Sequence, residues 1–182
     1  MASEDMGDSS DPLMERIAGL FGGTVPNLYR VLAKSPAALR AFVEMKEALD
    51  ADGHLSPAEQ ALVALEVSVQ TDCSYCESVF VGRARELGVE DQAIKSICSG
   101  ETPPAGSRQG LILATRRITQ THGRLGRHEI VEFEEQGLDA AKLLEIITIV
   151  SAYTLATYTN NLMRTRIDPE FRLPPDDVCG ES

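Results

Sequence analysis

Residues 56–76 read SPAEQALVALEVSVQTDCSYC, and this stretch decides the fold. It opens with Ser56 as a capping hydroxyl, Pro57 at the first helical position and Glu59 three residues after the serine, a strong helix-start signal. The helix is expected to run to Gln70. Thr71 and Asp72 are both good N-cap residues, so a break falls there and a second helix starts at Cys73, ending at Leu87 before Gly88. The dithiol Cys73-Ser74-Tyr75-Cys76 is thereby placed on the first turn of a helix.

Outward from this pair, helical spacing continues and no strand signal competes. Upstream, Leu13 to Leu20 forms a short helix, Gly22 to Asn27 a glycine- and proline-punctuated turn, and Ser35 to about Leu49 a helix with Pro36 in its first turn. Downstream, helices are expected over Asp91–Ile97, Ser107–Thr121, Arg127–Gln136 and Ala140–Arg164, broken by Pro103-Pro104, Gly123 to Gly126 and Gly137. The reading is an all-α chain with a loose tail over residues 1–12, one helical domain over 13–166 and an extended segment over 167–182 that lies on the body or on a neighbour. The last long helix is apolar on more than one side, which suits a core or a subunit interface. At a subunit interface, Asn160 and Asn161 near its end could hydrogen-bond across a symmetry axis, which the sequence itself does not show.

A chain of 182 residues that is 43% hydrophobic and 25% charged has enough apolar material for one core without staples. Its net charge of −11 argues against a general binder of nucleic acid or anionic membrane, since both require cationic surface. The first dozen residues show no basic start and no apolar run, and Leu143 to Ala156 is too short to span a bilayer. A cytoplasmic, reducing location is expected, where four cysteines do not read as a disulfide framework.

Two cysteines at i and i+3 on one turn can reach the Cα separation a disulfide needs, about 5 to 6 Å. Free amides and the helix dipole at that end stabilise a thiolate, lowering a thiol below its usual value of about 8.5. Redox chemistry, a metal site and inert packing all use this spacing. Zinc wants four ligands, and neither a second C-x-x-C nor a close histidine pair is present, so no metal or other cofactor is expected. Cys98 and Cys179 lack partner spacing and read as a packed thiol and a free tail thiol. His54, His122 and His128 fall near helix ends, where exposure or capping is the common role, with His122 or His128 completing a relay as the alternative.

The runs Leu55 to Gln60, Val67-Ser68-Val69 and Cys73 to Cys76, together with Pro26-Asn27-Leu28-Tyr29 and Ser35 to Leu39, resemble the carboxymuconolactone decarboxylase and alkylhydroperoxidase D superfamily, in its peroxidase-related branch. The resemblance covers roughly Leu13 to Pro169. It implies an alkylhydroperoxidase D-like all-α fold, assembly as a homotrimer or homohexamer, and a C-x-x-C that reduces peroxides or a partner's disulfide. It also implies a proton relay: a glutamate twelve residues before the first cysteine, His or Tyr just before the second, and a histidine four residues after the second. Tyr75 matches the middle place, whereas Ala61 and Phe80 stand at the other two.

Four residues are candidates to act beside Cys73 and Cys76 in their stead. Glu59 and Glu66 lie seven apart on nearly one helical stripe, and Glu66 is seven before Cys73. Glu77, one turn after Cys73, takes its proton if burial raises its own pKa, yet disfavours the thiolate when ionised. Each glutamate has a plainer reading as a solvated or ion-paired residue. Tyr75 is a donor or a packing residue, and Phe80 belongs to a core or interface. The expected activity is thiol-dependent reduction of a hydroperoxide or disulfide, with a thiol or dithiol reductant restoring the pair. The alternatives are a noncatalytic redox sensor that has lost its relay and, third, a lactone decarboxylase.

Overall fold

Every residue from Ala61 to Ser68 in helix α4 (Pro57–Gln70) is buried, more than a single apolar stripe accounts for. A helix apolar around its circumference must be covered on all sides. The cover comes from α5 (Ser74–Glu86), α6 (Asp91–Cys98), α7 (Ser107–Thr121) and α9 (Ala140–Met163). The computed structural model describes residues 12–104, 106–174 and 179, and the chain over those residues is all-helical. The remaining elements are α1 (Pro12–Leu20), α2 (Asn27–Leu32), α3 (Pro36–Asp52), α8 (Arg127–Glu135) and a 3-10 turn at Pro169–Phe171.

Local chemistry sets the boundaries. The Ser56–Glu59 capping box closes the start of α4 as its sequence predicts. At its other end, Cys73 N–H donates to Ser68 O at 3.0 Å and Asp72 N–H to Val69 O at 3.2 Å, a Schellman arrangement with Asp72 in the left-handed region at φ 49°. Cys73 is consequently the N-cap of α5 rather than its first helical residue. Helix α3 runs three residues past the expected Leu49, to Asp52.

Helix α2 has no counterpart in the sequence reading, because six residues are too few to show a period and no side chain near it in sequence caps it. Its cap comes from 141 residues away: Asn27 N–H donates to both carboxylate oxygens of Asp168 at 3.1 Å. Helix α9, at 24 residues, has the length and apolarity of a bilayer span, but Leu143, Ile146, Ile149, Ala152 and Ala156 form a stripe buried in the bundle. It serves as a core helix.

The segment after α9 lies on the body. Ser78 Oγ donates to Phe171 O, and the Phe171 ring meets Tyr75 edge-on at 6.5 Å. One expectation is corrected here: Cys98 and Cys179 are neither a packed thiol nor a free tail thiol but a disulfide, with Cα atoms 4.7 Å apart. A separation of 81 residues hides that proximity from any spacing rule. Of the expected N-terminal tail, residues 1–11 lie outside the described residues, and Pro12 already belongs to α1. Residues 175–178 and 180–182 of the expected extended segment also lie outside them.

Closing a loop of this length removes conformational freedom from the unfolded chain. The double variant Cys98→Ser, Cys179→Ser is expected to lose about 2–4 kcal/mol in urea denaturation while keeping its helical circular dichroism.

Candidate functional site

The turn between α4 and α5 delivers both thiols to one end of α5, Cys73 at the N-cap and Cys76 one turn inside. Both are unbridged, at 1% and 2% exposure. Burial alone raises a thiol, so an ionised sulfur here needs specific donors. Cys73 has them. A hydrogen bond from the Cys76 thiol lowers it most, burial opposes, and the backbone amides of Cys76 and Tyr75 lower it further, leaving it below its ordinary value. Cys76 moves the opposite way, raised by giving its hydrogen to Cys73, by burial and by the charge on Cys73. The two thiols are driven apart, Cys73 toward easier ionisation and Cys76 toward retention of its hydrogen, so the first proton to leave the pair is that of Cys73.

Glu77 is the one candidate glutamate that faces this pair. Its carboxylate charge raises both cysteines. It is 8% exposed, and burial, then the neighbouring charge of Asp72, push its own pKa up to about 7. A carboxyl half-protonated near neutrality can give or take a proton beside the thiols.

The other candidates are committed elsewhere. Glu66 is buried in a bidentate pair with Arg116, Oε1 to Nε at 2.8 Å and Oε2 to Nη2 at 2.9 Å, and also accepts from Gln70 Nε2 at 2.8 Å. Arg116 goes on to bond Glu101 O at 3.0 Å, so the carboxylate fastens α4 to α7 and the loop before it. Glu59 accepts from Ser56 N–H at 2.8 Å in the capping box, roughly 16 Å along α4 from Gln70 at 1.5 Å per residue. Tyr75 donates its hydroxyl to Asp168 Oδ2 at 2.6 Å and accepts weakly from Leu28 N–H at 3.4 Å. Burial and that carboxylate push its phenol up, so Tyr75 fastens the C-terminal segment to α5.

The places of the missing relay hold core residues. Ala61 is 5% exposed in α4, and Phe80 packs edge-on against Tyr153 with ring centroids 4.7 Å apart. Among the histidines, His54 Nδ1 meets Glu145 Oε1 at 2.7 Å, His122 is the left-handed C-cap of α7, and exposed His128 pairs with Glu132 at 3.3 Å. Among the described residues, no cluster of three or more His, Cys, Asp and Glu side chains is disposed to hold a metal ion.

Two partners of the site escaped the sequence reading. Asn160 Nδ2 lies 3.3 Å from Cys76 Sγ, and Asn161 Nδ2 donates to Thr71 O at 2.8 Å, so both amides are used within the chain rather than across an axis. The signal was present in principle: an asparagine in the last turn of an apolar helix demands a partner if buried. Asp168 offers no such signal, since an Asp before Pro169 is ordinary turn chemistry. A cleft of about 490 Å³ opens beside the junction, between Val67 and Thr71, His122 on α7, and Thr154 and Tyr158 on α9.

Residues 36–120 match the carboxymuconolactone decarboxylase family, a span that holds α3 to α7 and the dithiol. No curated protein matches. Among solved structures, a peroxidase-related protein with an alkylhydroperoxidase AhpD core from Ralstonia eutropha JMP134 is similar at a TM-score of 0.80, with 20% identity over 94% of this chain and 93% of that one. A peroxidase-related protein from Silicibacter sp. TM1040 gives 0.75, with 20% identity over 93% and 92%. A complex of the debrominase Bmp8, as a cysteine-to-alanine variant, with 2,3,4-tribromopyrrole gives 0.71, with 17% identity over 94% and 91%. At such identities the likeness is one of fold, and the fold is the AhpD-like one.

The raised Glu77 carboxyl makes the folded state bind more protons than the unfolded chain between about 4.5 and about 7, so stability falls as pH rises through that window. Glu77→Gln is expected to remove this fall, measured by urea denaturation across the same range.

Proposed function

We propose, from the match of residues 36–120 to the carboxymuconolactone decarboxylase family, that the protein is a dithiol oxidoreductase that reduces a hydroperoxide or a partner disulfide in antioxidant defence. The observation that carries this reading is the placement of two unbridged thiols one turn apart at the start of α5, in surroundings that lower Cys73 and raise Cys76. An inert pair of buried thiols has no need of a stabilised anion. The thiolate of Cys73 attacks the terminal oxygen of the hydroperoxide, the O–O bond breaks, and the departing alkoxide takes a proton from Glu77, leaving Cys73 as a sulfenic acid and releasing an alcohol. Cys76 then attacks the sulfenic sulfur and expels hydroxide, which takes the Cys76 proton and leaves as water. A thiol or dithiol reductant supplies two electrons and two protons to reopen the disulfide. No bound cofactor enters the sequence.

A noncatalytic redox sensor is the second reading, favoured by the near-complete burial of both sulfurs and by Ala61 and Phe80 where the relay would stand. Steady-state peroxide consumption with a dithiol reductant separates the two. Turnover that falls by at least a hundredfold in both Cys73→Ser and Cys76→Ser supports the enzyme; a single round of disulfide formation without further turnover supports the sensor. Cys98→Ser serves as the control that leaves the reacting pair intact.

The proposal extends to assembly and location. Helix α9 leaves Leu144, Tyr158 and Leu162 uncovered at 64%, 62% and 81% exposure, apolar surface suited to a homotrimer or homohexamer. A cytoplasmic site of action suits an enzyme that draws on thiol reductants, and the Cys98–Cys179 bond must then withstand the same pool. Light scattering is expected to show three or six copies in the native protein and a smaller species for Leu162→Glu; a native monomer would sink the assembly proposal.

A further inference from the structure

Asn160 sits in the last turn of α9 at 2% exposure. Its Nδ2 donates to Cys76 Sγ at 3.3 Å, while its Oδ1 is buried with no hydrogen-bond partner. Buried polar atoms are nearly always paired, and a half-satisfied amide is a poor way to stabilise a core. The amide is nonetheless held firmly. The next residue, Asn161, ties the same turn of α9 to Thr71 O at the α4–α5 junction, and Asn160 O accepts from Thr165 N–H at 3.0 Å. Phe80, one turn along α5 from Cys76, is occupied edge-on with Tyr153 and offers the sulfur no donor.

We infer that Asn160 is a catalytic residue of the disulfide-closing step, its Nδ2–H stabilising the Cys76 thiolate that attacks the Cys73 sulfenic acid. The inference rests on the dithiol reading proposed above and deepens it. In the reduced protein Asn160 Nδ2 donates to Cys76 Sγ while the Cys76 thiol donates to Cys73, so Cys76 links the amide to the second sulfur. Oxidation of Cys73 from thiolate to sulfenic acid removes the negative charge and the strong acceptor that hold the proton on Cys76. The groups then facing Cys76 are Glu77 and Tyr75 on α5 and Tyr153 and Asn160 on α9. Glu77 disfavours a second anion, and Asn160 is the donor that favours it. The Cys76 proton passes to the Glu77 carboxylate left by the first step and from it to the hydroxide displaced from Cys73; one S–S bond forms, one S–O bond breaks, and water is released. Because the amide is neutral, its assistance persists across the pH range in which Glu77 titrates.

The test uses Asn160→Leu, similar in size but without a donor, in the full chain. With tert-butyl hydroperoxide in single-turnover experiments, sulfenic acid formation at Cys73, trapped with dimedone, is expected to change less than about threefold, while closure slows roughly ten- to a hundredfold, the range of a hydrogen bond to a charged group. Unchanged closure overturns the inference and leaves the dithiol reading standing. Slowing of both steps alike also overturns it, as the mark of a structural role. A second measurement is independent of peroxide: in Cys73→Ala, thiolate absorbance gives the titration of Cys76, and adding Asn160→Leu, or Asn160→Ala if leucine does not fold, is expected to raise its midpoint by about one to two pH units, the same fold-change. An unmoved midpoint overturns the inference. Failure of the native protein to form any sulfenic acid or disulfide overturns the dithiol reading and this inference with it.

Discussion

Helix α4 has no side that water can touch over its central turns, and the rest of the fold is the answer to that constraint. Covering it requires α5, α6, α7 and α9 on different flanks, and the cover must also neutralise the one carboxylate that α4 carries inside. Arg116 does so from α7 with two parallel hydrogen bonds, and Gln70 and Glu101 O fill the remaining places around the pair. A buried ion pair of this kind is seldom a large net gain, but losing one partner leaves a stranded charge. The pair therefore specifies which helix lies against α4 and at what register. The dithiol follows from the same packing, because α5 must fold straight back to cover α4, and the Thr71–Asp72 turn at the surface hands the chain to Cys73.

The sequence was most legible where local rules act alone. Ser56, Pro57 and Glu59 announce the start of α4, and the C-x-x-C at the head of α5 needs only helical spacing to be recognised. Short range also explains the errors. Cys73 became the N-cap because the Schellman turn places Asp72 in a left-handed conformation that glycine more commonly supplies, and no spacing rule flags an aspartate for that place. Helix α2 was illegible because its cap, Asp168, stands at the other end of the chain. The disulfide was illegible for the same reason.

The candidate site divides along the same line. Its sulfurs and Glu77 lie within five residues of one another and could be named from sequence. The claim of Ser56 on Glu59 was legible too, as a capping box, but those on Glu66 and Tyr75 were not, because Arg116 and Asp168 come from distant elements. Similarity to peroxidase-related proteins carries the helical frame across, while the hydrogen bonds that set the charge on each sulfur are this chain's own. Function lies in those bonds rather than in the fold.

The Cys98–Cys179 bond turns the chain from the end of α6 onward into a covalent ring. Inside that ring lie α7, α8, α9 and the segment that lays Asp168 and Phe171 against α5. A contact such as Tyr75 Oη to Asp168 is weak if the segment is free to leave, yet a tether on its far side keeps the local concentration of Asp168 high after every transient release. The segment against α5 is thus anchored on both sides, by α9 before it and by the disulfide after it. A chain cut short of Cys179 would lose this second anchor together with the stability that the ring confers.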